Sequence, residues 1–372
     1  VGGGVTISES GIEASGIGIT VANINGGQIS GRKNKIINGA MTINQRSHTG
    51  AQSHNAYGLD RWKYNRSANA EFNIEQSTES PDGFAKSLQV DCTTASGSVG
   101  ASDYVRLRYH MEGQDLQDFA KGTSSAKEFA LSFYAKSSVT GDYCIAFEDG
   151  DNTRMVTATY TVSNTNWNRY TITFPADTTG AFDNDNNTSL TIWWWFISGS
   201  NYQSGTERTT WGTYADNALG KGHTANLGSS TSNNFYLTGV QLEVGSQATA
   251  FEHRSHGEEL SLCQRYYYVH LDSGNSGKSF MNSNQYNSNA SYGHLQFACT
   301  MRTSPTLEIA SGTNYYGAFG NSTAQYVSDL STVQTNPNGA ELGGSTSSFS
   351  SGQSIWWRAH NASSKIAFTA EL

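Results

Sequence analysis

The sequence predicts an all-β protein: a jelly-roll β-sandwich, then a smaller C-terminal β domain, with a short extended shaft or attachment segment in front. Three observations lead there. Apolar residues recur at every second position through many short runs. No long amphipathic helical pattern interrupts them. The composition is that of strands and turns: 39 Gly, only 4 Pro, aromatic residues at 12% and charged residues at 15%, against roughly 25% charged in an average globular protein. With 372 residues the chain exceeds one small domain.

The first element, residues 1–35, holds brief β-like scraps at 5–7, 16–21 and 24–25 between glycines, too small to bury a core alone. Such a segment must pack on a partner chain, a symmetry mate or an upstream domain. Arg32, Lys33 and Lys35 close it and read as a solvated linker. Val1 in place of an initiator methionine, with no basic or apolar leader behind it, leads us to expect chain upstream.

The second element, 36–255, is the jelly roll. Residues 129–136 place Phe129, Leu131, Phe133 and Ala135 on one face, and 167–174 align Tyr170, Ile172 and Phe174 in the same way. Further strands are predicted at 143–147, 154–162, 189–197 and 234–244, joined by turn-rich loops such as 183–187 and 228–233. The third element, 256–372, opens with a helical turn at Leu260, Cys263 and Tyr267 behind the acidic Glu258 and Glu259. Strands follow at 266–271, 294–301, 306–309, 354–359 and 366–370. Between them, 272–291 and 331–352 read as long Ser/Gly/Asn loops, which on a small β scaffold suggest mobile or binding surfaces.

Charge excludes several functions. Lys and Arg number 23 against 31 Asp and Glu, a net −8, which argues against nucleic acid and anionic lipid as partners. The most apolar run, 190–197, is far too short to span a bilayer. Cys92, Cys144, Cys263 and Cys299 share no metal-binding spacing, so four free thiols, no metal and no cofactor are expected. No H-E-x-x-H or G-x-S-x-G is present. Residues 273–279 end like a P-loop, but Asp272 stands where its first glycine belongs. Residues 183–187 resemble the start of a calcium loop without its glycine and glutamate, and Asx turns explain them better. Glu148, Asp149 and Asp151 could supply a glycosidase pair, although an exposed turn accounts for them as well.

Candidate binding residues are aromatic. On a strand through 193–195, Trp193, Trp195 and Ile197 share one face while Ile192, Trp194 and Phe196 share the other, which is the better core face. Trp193 and Trp195 are then either a subunit interface or second-layer core, or a platform for sugar rings. Tyr202, Trp211 and Tyr214 follow in a loop and could line a cleft. Trp356 and Trp357 alternate, one ring inward and one outward. Tyr315 and Tyr316 sit among Gly312, Gly317 and Gly320 in a turn-rich segment that could form a distal tip.

Several phrases resemble a known family: KIINGAMTINQR at 35–46, YGLDRW at 57–62, FALSFYAK at 129–136, WNRYTITF at 167–174 and FYLTGVQLEVG at 235–245. AFEHR at 250–254, EELSLCQRYYY at 258–268, TMRTSPT at 300–306 and TAEL at 369–372 continue the pattern to the end of the chain. Together they look like bacteriophage tail fibres and related tail proteins, whose module is similar to carbohydrate-binding jelly rolls. The resemblance implies a non-enzymatic, structural and adhesive virion component assembled in the host cytoplasm. It implies a homotrimer, joined to other phage tail proteins through its N-terminal segment and binding a host cell-surface glycan or receptor through its distal β domains. A carbohydrate-binding protein or polysaccharide depolymerase is the alternative, against which the lack of repeating β-helix rungs counts. Assembly in a reducing compartment predicts that thiol titration of the denatured, non-reduced chain counts four; a count of zero or two contradicts that compartment.

Overall fold

Two antiparallel sheets face each other across residues 36–244 because their strands alternate apolar and polar side chains, and only a second sheet covers the apolar faces. The computed structural model describes residues 31–48 and 50–372, with the backbone of 5–8 and 11–14. That backbone forms a hairpin of β1 (Val5–Ser8) and β2 (Gly11–Ala14). The scraps expected at 16–21 and 24–25 lie outside the described residues, as does most of the segment expected to hold a trimer.

The sandwich strands are β3 (Tyr57–Leu59), β4 (Trp62–Arg66), β5 (Glu71–Ser77), β6 (Ser87–Thr94), β7 (Tyr104–Glu112) and β8 (Phe129–Ser137). They continue as β9 (Gly141–Asp149), β10 (Arg154–Val162), β11 (Asn168–Phe174), β12 (Thr188–Ser198), β13 (Gly212–Thr213) and β14 (Asn234–Val244). Seven form one sheet in the order β13-β10-β9-β12-β7-β4-β3, and five form the other in the order β11-β8-β14-β6-β5. Phe133, Leu131 and Phe129 pair with Tyr170, Ile172 and Phe174 across β8 and β11. Trp194 lies in the centre, edge-on to Trp62 at 5.5 Å and to Phe133 at 6.1 Å. Ile197 departs from the predicted face. A bulge between Trp195 and Ile197 shifts the register, so Ile197 joins Ile192, Trp194 and Phe196 in the main core.

The backbone of residues 33–35 is not a free linker, although the Arg32 side chain stays exposed. Glu252 accepts hydrogen bonds from the Lys33 and Asn34 amides at 2.8 and 2.9 Å, and the Lys35 amide donates to the Leu242 carbonyl at 2.9 Å. Their local sequence gives no hint of this, because the partners lie more than 200 residues away.

After α1 (His256–Gln264), capped by Ser255, the tail contributes β15 (Tyr267–Leu271), β16 (Ser279–Asn287), β17 (Ala290–Gln296), β18 (Thr306–Ile309) and β19 (Tyr316–Gly320). It ends with β20 (Thr323–Val327), β21 (Ser331–Asn336), β22 (Gly339–Ser345), β23 (Ser354–Ala359) and β24 (Ile366–Thr369). A three-stranded sheet, β15-β24-β18, covers one side of a second core. A seven-stranded sheet, β20-β19-β23-β16-β17-β22-β21, covers the other. The long loops expected at 272–291 and 331–352 are thus largely strands. They were illegible as strands because their core-facing residues are small or polar: Ser283, Gln285, Ser291 and Gly344 are all buried. Gln285 satisfies itself on the Asn287 and Thr346 carbonyls, both at 2.7 Å. Gly344 leaves the space that Trp357 fills: a Cβ there would stand 2.2 Å from the indole.

The two cores meet across a seam of buried charge. Glu112, out of water at the end of β7, accepts two hydrogen bonds from Arg265 at 2.8 and 2.6 Å and a third from the Tyr266 hydroxyl. Glu371 binds Arg61 at 2.6 Å and Arg46 at 3.1 Å, while the Arg61 guanidinium lies 3.4 Å over the Tyr266 ring. Across the same boundary the Asn186 amide side chain donates to the Arg302 carbonyl at 2.6 Å and the Arg302 guanidinium to the Asn186 carbonyl at 3.0 Å.

Burial pushes the Glu112 carboxyl up, but the Arg265, Tyr266 and Gln114 hydrogen bonds outweigh it and hold it below the usual glutamate range. A depressed folded pKa gives stability that is present above the unfolded value and lost as pH falls through the folded one. Glu112→Gln leaves Arg265 without its partner and is predicted to cost about 3 kcal/mol at neutral pH. The loss should shrink as the pH falls below about 4; equal losses at pH 7 and pH 3 in urea unfolding would contradict this.

Candidate functional site

Alternation on the seven-stranded sheet of the tail domain decides which side chains reach solvent. Met281, Ser283 and Gln285 of β16 turn inward, so Asn282, Asn284 and Tyr286 turn outward. On β17 the outward residues are Tyr292, His294 and Gln296, and on β23 they are Trp356 and Arg358. The outer face has no third layer over it among the described residues.

Its centre is aromatic. Phe319 and Trp356 sit directly opposite each other on β19 and β23, their rings stacked 6.2 Å apart at 19°. Tyr326 on β20 meets Phe319 edge-on at 6.0 Å and packs against His360 at 4.2 Å. Gly317 lies beneath: a Cβ there would come within 2.7 Å of Phe319 and 3.2 Å of Tyr326, so glycine lets both rings pack down against the sheet. The Arg358 guanidinium covers the edge, 5.1 Å from the Phe319 ring and 5.8 Å from Trp356. A second pair, Tyr286 and Tyr292, stacks at 5.1 Å and 27°. Trp356, Tyr326 and Tyr286 are 37%, 41% and 66% exposed, three of the five large apolar side chains left open among the described residues. Asn282 and Asn284 lie between the two aromatic groups, with His294 and Glu341 paired further along the sheet, and all offer short polar donors and acceptors. Beside Tyr292, a cleft of about 250 Å³ opens between Val333, Ser331, Asp329 and Gly343.

Of the residues singled out from sequence, Trp356 alone is an exposed part of this face. Trp357 and Tyr316 are its buried counterparts: the Trp357 indole donates to Ser283 Oγ at 2.9 Å, and the Tyr316 hydroxyl donates to the Ala310 and Lys365 carbonyls. Tyr316 therefore forms no tip; it starts a core strand. Tyr315 is half-buried, its carbonyl engaged by Ser364 and His360. Phe319, Tyr326, Tyr286 and Tyr292 went unnoticed in the sequence. The signal that could have found Tyr286 and Tyr292 is strict alternation through 281–286 and 291–296.

The sandwich aromatics form a second layer, not an open platform. Segment 200–222 folds back over the outer face of the seven-stranded sandwich sheet, closing a small core of Cys144, Ala146, Met155, Trp193, Trp195, Ala218 and Leu219. Trp195 packs against Tyr202 at 5.3 Å and is fully buried. Trp193, 4% exposed, donates to Glu148 Oε2 at 3.0 Å and is flanked by the Arg106 and Arg108 guanidiniums. Burial lowers Arg106 to about 10 and raises the Glu148 carboxyl, with Arg108 pulling the latter back. Trp211 is half-buried and donates to the Pro175 carbonyl at 3.0 Å; the Tyr214 hydroxyl donates to Asp216 at 2.6 Å.

The catalytic and metal alternatives also have placements. Asp149 is buried on Lys121 at 2.5 Å, and Lys121 reaches Asp177 at 3.1 Å, so Asp149 serves a structural ion cluster. The 183–187 loop closes as an Asx turn, the Asn187 amide donating to Asp185 Oδ1 at 2.9 Å. Among the described residues no three His, Cys, Asp or Glu side chains gather as metal ligands.

No protein-family model and no curated protein matches the sequence. Solved structures similar in outline include the enzymatically active domain of tailspike protein 4 from bacteriophage CBA120. That match has a TM-score of 0.31 and 11% identity, and covers 57% of this chain and 21% of the tailspike chain. The family 11 carbohydrate-binding module of a Clostridium thermocellum cellulosomal cellulase gives 0.27 and 16%, covering 56% of this chain and all of the module. A sugar-binding protein of Bacteroides thetaiotaomicron, described as putative, gives 0.29 and 9%, with 57% and 100% covered. Similarity at this level assigns no ligand to this chain.

Proposed function

We propose that this protein is a non-catalytic adhesive component of a phage virion, a trimeric tail fibre whose C-terminal sheet binds a glycan on the bacterial surface. The observation that carries the reading is the open outer face of the tail-domain sheet: Phe319 and Trp356 nearly parallel with Tyr326 edge-on beside them, flanked by Asn282, Asn284, His294 and Arg358. Flat rings offer apolar faces to the C–H side of a pyranose, and amide, imidazole and guanidinium groups at their edges satisfy its hydroxyls. A soluble domain rarely leaves contiguous rings uncovered unless something docks there. The resemblance of 35–372 to tail-fibre sequences supplies the setting, and residues 1–35 would join the trimer to neighbouring tail proteins.

Two measurements test this. Trp356→Ala with Tyr326→Ala is predicted to weaken binding to host surface polysaccharide tenfold or more, about 1.4 kcal/mol, with the melting temperature nearly unchanged because both rings are largely outside the core. Unchanged binding would remove the platform. Reducing ends released from the polysaccharide would indicate a depolymerase instead. Native mass measurement of the full chain is predicted to give three copies; a monomer at micromolar concentration would contradict the fibre.

A further inference from the structure

We propose that a row of alternating cations and aromatic rings, running from the domain junction onto the sandwich, binds an acidic saccharide through its carboxylate or sulfate groups. This site is separate from the aromatic platform of the tail domain.

The row begins in the junction. Lys365 Nζ stands 5.8 Å from the Tyr267 ring, and the Arg46 guanidinium lies 3.7 Å over the same ring and 4.8 Å from Tyr57. On the far side of Tyr57, Lys63 Nζ is 5.4 Å from its centre. Lys63 pairs in register with Arg108 across β4 and β7. Arg108 and Arg106 then flank Trp193 at 4.1 and 4.0 Å. A cleft of about 550 Å³ between the domains, lined by Arg46, Tyr57, Tyr267, Glu308 and Lys365, opens at the first end.

The charges along this row are not balanced. Of its five cations, Arg46 alone makes an ion pair among the described residues, with Glu371 and at the limit of range with Asp60. Lys63, Arg106, Arg108 and Lys365 make none within 4.0 Å. Arg106 is 8% exposed, and its Nη1, like Nε of Arg108, is out of water with no acceptor. Glu148, bound to the Trp193 indole, and Glu308 in the cleft are the neighbouring acids. Packing accounts for Arg106, whose guanidinium also covers Tyr104 and Trp195. It does not account for Lys63 facing Arg108, because like charges directly opposite on adjacent strands repel. Burial, and then Arg108, push the Lys63 ammonium below the usual lysine range. A bound anion bridging the half-buried pair removes the repulsion.

A saccharide fits better than a nucleic acid. The rings already carry cations on their faces, so no base can stack there, and the row is a single file in an acidic protein, not a broad basic footprint. Lys63 and Arg108 are half-buried and Lys365 lines the cleft, so spaced acidic groups on one chain could reach both ends.

The experiment is calorimetric titration of the full chain with oligogalacturonate, with dextran sulfate and with uncharged dextran, at low and at physiological salt. Oligogalacturonate or dextran sulfate is expected to bind, the tighter of the two identifying the acidic group, and dextran is not. Lys63→Gln with Arg108→Gln should cut that affinity at least tenfold while its melting temperature stays level or rises, and Lys365→Gln should reduce it less. Trp356→Ala with Tyr326→Ala should bind the acidic probe like the parent, which separates this site from the platform. Absence of binding by both acidic probes, full affinity in the Lys63/Arg108 variant, or equal competition by inorganic phosphate or single-stranded DNA would overturn the proposal. If the double variant melts early, Lys365→Gln with full affinity overturns it equally.

Discussion

Two buried carboxylates hold this molecule's architecture together. Glu371, near the end of the chain, is clasped by Arg61 and Arg46 from the sandwich, and Glu112, at the end of β7, is clasped by Arg265 and Tyr266 from the tail. Each domain thus supplies the acid for the other's bases. Charges taken out of water are costly unless every partner is present, so neither clasp closes unless both domains are folded and docked in this one arrangement. Their contribution is to registry more than to stability. An apolar interface could slide; a carboxylate held by two guanidiniums cannot. The tail-domain sheet is thereby fixed in its angle to the sandwich.

The covering of the sandwich sheet follows from the same economy of polar groups. Trp193 and Trp195 lie on the outer face of the seven-stranded sheet, where an exposed pair would be a natural sugar platform. Segment 200–222 instead closes over them, with Tyr202 on Trp195. The cations around Trp193 remain at the rim of that cover. The tail sheet has no such segment, so its aromatic rings stay open. The two faces offer different chemistry: open apolar ring faces edged by polar groups in one, arginines beside a covered tryptophan in the other.

Much of the sandwich was legible because its strands obey alternation with large apolar residues. The 129–136 and 167–174 runs pair as their pattern requires, and Trp194 is central as its neighbours Ile192 and Phe196 imply. What broke the reading was local geometry that the pattern does not encode. The bulge at Trp195 moves Ile197 into the main core, and the anchoring of the Lys33 and Asn34 backbone depends on Glu252, far along the chain. The tail sheet was less legible for a physical reason. Its inner face mixes Ser, Gln, Gly and Ala with widely spaced large residues such as Met281, Leu295, Leu342 and Trp357, so average hydrophobicity reads as loop although the period is two. The candidate site was correspondingly half visible: Trp356 could be placed outward from its neighbour, whereas Phe319, Tyr326, Tyr286 and Tyr292 come together only across strands.

The central claim is that the outer face of the tail sheet is where the glycan lies. Backbone hydrogen exchange of the full chain, with and without host surface polysaccharide, addresses it directly because it maps protection without altering a residue. The account predicts slowed exchange in 316–327, 354–359 and the adjoining 282–294, with the five-stranded sandwich sheet unchanged. Protection confined to the sandwich, with the tail sheet exchanging as it does alone, would contradict it.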